Sequence, residues 1–147
     1  MDEKWAFVAK KQKRCDEDDP ADARLGDCWD HVAVDPAHRL VLRVVPGKRT
    51  AQNVRTLVQD VKARTGERML NLITTDEYAP YQEAILETWG QTVMPPRTGK
   101  PGRPRKPYPV APPDLCYATV HKTREKGRVT KIDFRVVFGS TGQVQQA

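Results

Sequence analysis

Apolar residues along this chain fall into short alternating runs parted by turn residues, with one longer stretch at helical spacing. Between Glu3 and Lys10, Trp5, Phe7 and Ala9 alternate with Lys4, Ala6 and Lys10, which predicts a strand. Lys11 to Asp30 is polar and turn-rich, with the acidic run Asp16-Glu17-Asp18-Asp19 ahead of Pro20, and reads as a long loop. Trp29–Asp35 is a second strand closed by Asp35-Pro36, and Leu40–Val45 a third ended by Pro46-Gly47. Short connections make an antiparallel meander the simplest arrangement of the three.

Ala51, Val54, Leu57, Val58 and Val61 recur on one helical face, so Ala51–Thr65 is the strongest helix signal. Thr50 can cap its start and Gly66 suits a left-handed stop. Leu70–Thr75 follows as an apolar strand, running into Thr74-Thr75-Asp76-Glu77. A second helix is expected over Ala79–Trp89, with Pro80 in its first turn, Gly90 after it, and Ala84, Ile85 and Trp89 on its buried face. The order predicts an α/β fold. A helix crossing over the meander would lay Leu70–Thr75 parallel to the first strand and beside it.

From Met94 to Pro113 the prolines at 95, 96, 101, 104, 107, 109, 112 and 113 argue against any regular element, and this stretch reads as an arm. Tyr117–His121 and Val129–Phe138 then form a hairpin around Lys126-Gly127, with Thr130, Ile132, Phe134, Val136 and Phe138 on one face. The organisation is therefore a body over 1–93, a Pro-rich basic arm over 94–114, and a hairpin with tail over 115–147. No internal repeat is visible.

Charge sharpens this division. Residues 1–94 hold 14 Lys+Arg against 16 Asp+Glu, a net of −2, whereas residues 95–147 hold 11 against 3, a net of +8. A near-neutral body with a basic C-terminal part favours polyanionic partners, although a solvated basic tail explains the same numbers. No apolar run approaches the roughly 20 residues of a membrane span, and no apolar stretch behind a positive start suggests a signal peptide. Three Cys without a C-x-x-C pair fit neither a disulfide framework nor a zinc ribbon, so a reducing, cytoplasmic setting is expected.

Two carboxylates stand out. Asp2 opens the first strand and Asp76 ends the fourth; if those strands were neighbours, the two side chains would meet at one end of a sheet. Paired carboxylates in a cleft repel unless a cation lies between them, and hard divalent ions suit oxygen ligands. Sharing one ion would bring them about 4–7 Å apart, given Mg–O bonds of roughly 2.1 Å. On spacing alone, Asp2 as a terminal residue and Asp76 as a turn residue is the stronger reading.

Four segments in order change that balance. Asp2-Glu3-Lys4-Trp5-Ala6-Phe7-Val8, then Trp29 to Asp35 with its turn, then Pro46-Gly47-Lys48-Arg49-Thr50-Ala51, then Thr75-Asp76-Glu77-Tyr78-x-x-Tyr81 resemble the catalytic region of insertion-sequence transposases of the IS one type. These belong to the DDE group, whose catalytic domain has an RNase H-like fold. The resemblance covers residues 2–90 well and Tyr117–Gly139 more loosely. It implies an RNase H-like mixed sheet, Mg²⁺ (or Mn²⁺) as cofactor, and Asp2 and Asp76 as catalytic, metal-holding acids. It also implies cleavage and transfer of DNA strands. The family's third acid is a Glu in a basic Glu-Arg-x-Asn/Asx-Gly motif on a later helix. No such motif occurs in this sequence: Glu83 and Glu87 lie too near Asp76, and Glu125 sits in the hairpin turn. The family's upstream zinc-binding and helix-turn-helix region has no counterpart either. The resemblance therefore implies a fragment, inactive alone, with DNA as partner and self-association or a missing C-terminal half as further partners. DNA-bound, it would be nucleoid-associated. The alternatives are a DNA-binding module without chemistry and a non-functional transposase remnant.

The arm offers a second signal. Lys100-Pro101-Gly102-Arg103-Pro104-Arg105-Lys106-Pro107 resembles an AT-hook, with Pro101 in place of the first core arginine. Arg97, Lys100, Arg103, Arg105 and Lys106 are the candidate DNA contacts, through a narrow minor groove or through phosphates generally; a Pro-rich spacer with solvated charges is the plainer reading. Cys15, Cys28, His31 and His38 fit no standard zinc spacing, and His31, within a strand, reads as a packed histidine. The run at Asp16 lacks the Gly and Glu of a calcium loop.

Overall fold

The computed structural model describes residues 1–96 and 106–146. These form two compact units, Met1–Arg68 and Met69–Ala147. The fourth strand pairs with the first strand of the hairpin, and both lie in the second unit.

The first unit is the expected meander. Strand β1 (Asp2–Val8) pairs antiparallel with β2 (Gly26–Asp35), which pairs antiparallel with β3 (Leu40–Gly47). All three are longer than or shifted from their sequence limits, since ladder partners extend order past the apolar run. The register places Glu3 opposite His31 and Trp5 opposite Trp29. Helix α1 (Ala51–Arg64) begins where Thr50 accepts a hydrogen bond from the Asn53 N–H at 3.3 Å, and it stops at Gly66, in the left-handed region at φ 69°. It packs on β2 and β3, and Val54, Leu57, Val58 and Val61 are buried along with Ala33 and Val45.

The long loop between β1 and β2 is ordered by two one-turn helices, Gln12–Arg14 and Pro20–Asp22. Asp22 is its anchor. The Lys10 ammonium donates to it at 2.6 Å and the Asp16 N–H at 2.8 Å, and in that order these hold its carboxyl below the usual carboxylate range. A depressed pKa contributes stability that is present above the unfolded-state value and lost as pH falls through the folded one. An Asp22→Asn variant should therefore be less stable than wild type at neutral pH, with the gap closing below about pH 4. Urea titrations at several pH values would measure it; a gap constant with pH would exclude the ion pair as its source.

The second unit departs from the sequence reading. Strand β4 is only Ile73–Thr75, and its parallel partner is β7 (Tyr117–Glu125), not β1, whose ladder is with β2. The crossover that would have set β4 beside the first strand is thus corrected. Antiparallel to β7 runs β8 (Arg128–Phe138), giving the order β4-β7-β8. The turn between them is the expected one: Lys126 and Gly127 both take positive φ, 48° and 80°, as a two-residue hairpin turn of the primed type requires. Helix α2 (Pro80–Trp89) starts on its proline and buries Tyr81, Ala84, Ile85 and Trp89. Ile73, Leu115, Cys116, Tyr117 and Ala118 are also buried in this unit. A short helix α3 (Thr141–Gln146) follows the hairpin.

The Pro-rich stretch is not wholly irregular. Strand β5 (Gln91–Val93) pairs antiparallel with β6 (Tyr108–Val110), Pro109 facing Thr92. Antiparallel pairs alternate between hydrogen-bonded and non-bonded positions, so a central proline is tolerated where no N–H need donate. Arg97, Lys100, Arg103 and Arg105 lie outside the described residues; Lys106 is within them and exposed. The whole is a mixed α/β fold, with an antiparallel sheet and α1 in one unit and a mixed sheet and α2 in the other.

Candidate functional site

Asp2 is the first residue of β1 and is exposed. Strand alternation sends its side chain to one face and that of Glu3 to the other. The Glu3 N–H donates to Asp2 Oδ1 at 2.8 Å, fixing the carboxylate against the strand opening.

Behind it lies a charged cluster of the first unit. Glu3 is the one residue of β1 that is not exposed, and its side chain retains 1% of its surface. Arg49 Nε donates to Glu3 Oε2 at 2.6 Å, and the same guanidinium sits 4.8 Å over the Trp29 ring. His31 is fully buried, and its Nδ1 lies 3.1 Å from the Val45 carbonyl. A carbonyl only accepts, so Nδ1 carries the proton, and Nε2 is turned toward Glu3 Oε1 at 3.8 Å. The reading of His31 as a packed histidine holds. His38 engages Asp35 at 2.8 Å, away from any shared site with Cys15 or Cys28. The sequence marked Glu3 and Arg49 only as parts of motifs. The signal that finds Glu3 is its place on the same strand face as Trp5 and Phe7.

Asp76 is half-buried, immediately past β4 in the second unit. Its Oδ1 accepts from the Tyr78 N–H at 3.3 Å, a turn that aims the carboxylate. Thr75 Oγ1 donates to the Asp76 carbonyl at 2.6 Å, which leaves the Tyr117 hydroxyl, 2.8 Å away, to donate to Thr75. Both residues are buried, and burial pushes the Tyr117 phenol up from its ordinary value, with Asp76 nearby adding to the effect. Beside them His121 Nδ1 donates to Glu77 at 2.6 Å. Thr75, Tyr117, Glu77 and His121 went unnoticed as a group because their partners are 42 and 44 residues apart in the chain.

Asp2 and Asp76 are hard oxygen donors, each oriented by a backbone N–H, and in kind they fit Mg²⁺ or Mn²⁺. Among the described residues no three His, Cys, Asp or Glu side chains are grouped to hold a metal ion. Among the same residues no helix is long and apolar enough to cross a membrane. Comparison of the chain with protein-family models, with curated proteins and with solved structures finds no match in any of the three.

Proposed function

We propose that this chain is part of the catalytic domain of a DDE transposase, built on an RNase H-like plan, and that alone it neither cuts nor joins DNA. The observation that carries this reading is positional: Asp2 is the first residue of β1, and Asp76 is the first residue past β4. Both stand within the ordered motifs that resemble the IS one-type transposases, and both occupy strand ends, where a carboxylate can reach outward while its strand is held rigid.

Asp2 and Asp76 would hold Mg²⁺, which would supply charge neutralisation at a phosphodiester and favour formation of an attacking oxyanion. The chain's own contribution is placement. Glu3, clamped by Arg49 beside His31, fixes the strand opening that carries Asp2; Thr75, clamped by Tyr117, fixes the turn that carries Asp76. The family's third acid has no matching motif in these residues. Two-metal phosphoryl transfer needs both ions held, so two acids are expected to be insufficient. The basic arm would attract phosphate through Arg97, Lys100, Arg103, Arg105 and Lys106. The net +8 of residues 95–147 also favours a second reading, a DNA-binding module without chemistry.

Purified protein incubated with supercoiled plasmid and Mg²⁺ or Mn²⁺ should leave the plasmid intact. Nicking that Asp76→Ala abolishes would overturn the inactive-alone reading and send the search for a third ligand to Glu83, Glu87 and Asp133.

A further inference from the structure

The hairpin ends in a two-stranded ribbon that meets solvent on both sides. Strand β4 borders β7 only at Tyr117, Ala118 and Thr119, and among the described residues no other strand joins this sheet. Residues 123–132 are all exposed, on both faces of the ribbon. They hold four Lys+Arg against one acid, Glu125. Lys131 is engaged by Asp133 at 2.8 Å, which leaves Arg124, Lys126 and Arg128 around the turn. Register sets Arg124 opposite Val129 and Glu125 opposite Arg128, so Arg124 and Arg128 project from opposite faces, with Lys126 at the apex between them. Lys126 and Gly127 hold φ of 48° and 80°, so the tip is a preformed turn and loses little freedom on docking.

We propose that this tip enters the major groove of duplex DNA, with Arg124 and Arg128 reaching the phosphates of the two groove walls and Lys126 leading. The size fits: the groove of B-form DNA is about 12 Å wide and about 8.5 Å deep and admits a two-stranded ribbon. Thr123 to Lys126 spans about 10 Å at roughly 3.4 Å per residue, and the two strands lie about 4.8 Å apart. The placement of charge decides the partner. A flat anionic surface, whether lipid or protein, would meet the cation of one face and leave that of the other in water. A groove has phosphates on both sides and meets both. The major groove of an A-form RNA duplex is too narrow and deep for the ribbon, and a single strand has no groove. This contact goes beyond the reading above and uses neither Asp2 nor Asp76 nor the arm, so either can fail alone.

The test uses the full chain with Arg97, Lys100, Arg103, Arg105 and Lys106 each changed to Gln, so that the arm cannot mask the hairpin. Fluorescence anisotropy at several salt concentrations compares a labelled DNA duplex of about 20 base pairs, the RNA duplex of the same sequence and one DNA strand alone. The DNA duplex should bind about tenfold tighter than either of the others. Changing Arg124, Lys126 and Arg128 together to Gln should weaken duplex binding by about tenfold or more and flatten its logarithmic salt slope by about two to three units. Arg124→Lys with Arg128→Lys should keep most of the affinity, since lysine also meets a phosphate as a point charge, and this variant separates lost charge from a disturbed hairpin. RNA duplex or single strand bound as tightly as the DNA duplex, undiminished binding in the Gln variant, or equal loss in the Lys variant would each overturn the proposal.

Discussion

Glu3→Ala should lower the stability of the first unit by about 2–3 kcal/mol, an effect read as a shift of its urea midpoint. Removing one partner of a buried ion pair costs about 3–5 kcal/mol because the other charge is stranded. Arg49 keeps 36% of its side-chain surface and can turn to water, which brings the expected cost below that range. The rest of the penalty arises from packing lost around the Glu3 side chain, which keeps 1% of its surface beside fully buried His31. Lys4→Ala, one residue on and exposed, should cost less than about 0.5 kcal/mol. Equal effects at the two positions would show that the cluster does not anchor the strand opening.

Leu57→Ala should cost about 3 kcal/mol in the same measurement. Leu57 is fully buried on the face of α1 that packs on β2 and β3, and truncating such a residue loses both transfer energy and packing around the cavity. Val41, an equally apolar residue but 62% exposed on β3, supplies the contrast: Val41→Ser should cost under about 1 kcal/mol. Together the pair reports which side of the meander is core. Comparable losses at both sites would mean that the exposed side of β3 is covered in solution.

The meander and α1 were legible because their signals are local. Asp35-Pro36 and Pro46-Gly47 punctuate the strands, and Val54, Leu57, Val58 and Val61 repeat at 3.6-residue spacing. The Lys126-Gly127 turn was legible for the same reason. The partner of β4 was not. A three-residue parallel ladder joins Ile73–Thr75 to Tyr117–Thr119, across a helix and the whole arm, and nothing in either segment names the other. Strand β6 was hidden by Pro109, since the sequence shows a missing donor but not whether the ladder needs one there. At the candidate site, the motifs exposed the carboxylates Asp2 and Asp76. Their supports escaped notice: Glu3 looks like a surface charge until the alternation of β1 is followed, and the Thr75–Tyr117 contact depends on that same long-range ladder.

In the proposed transposase reading Asp2 and Asp76 serve one divalent ion, although their strands lie in separate sheets. Mn²⁺ affinity, followed by electron paramagnetic resonance on the full chain and on Asp2→Asn, Asp76→Asn and the double variant, tests it most directly. Each single substitution should weaken binding about tenfold or more, and the double variant should lose little beyond either one, because groups that share an ion are strongly coupled. Wild-type affinity in either single variant, or losses that simply add, would contradict it.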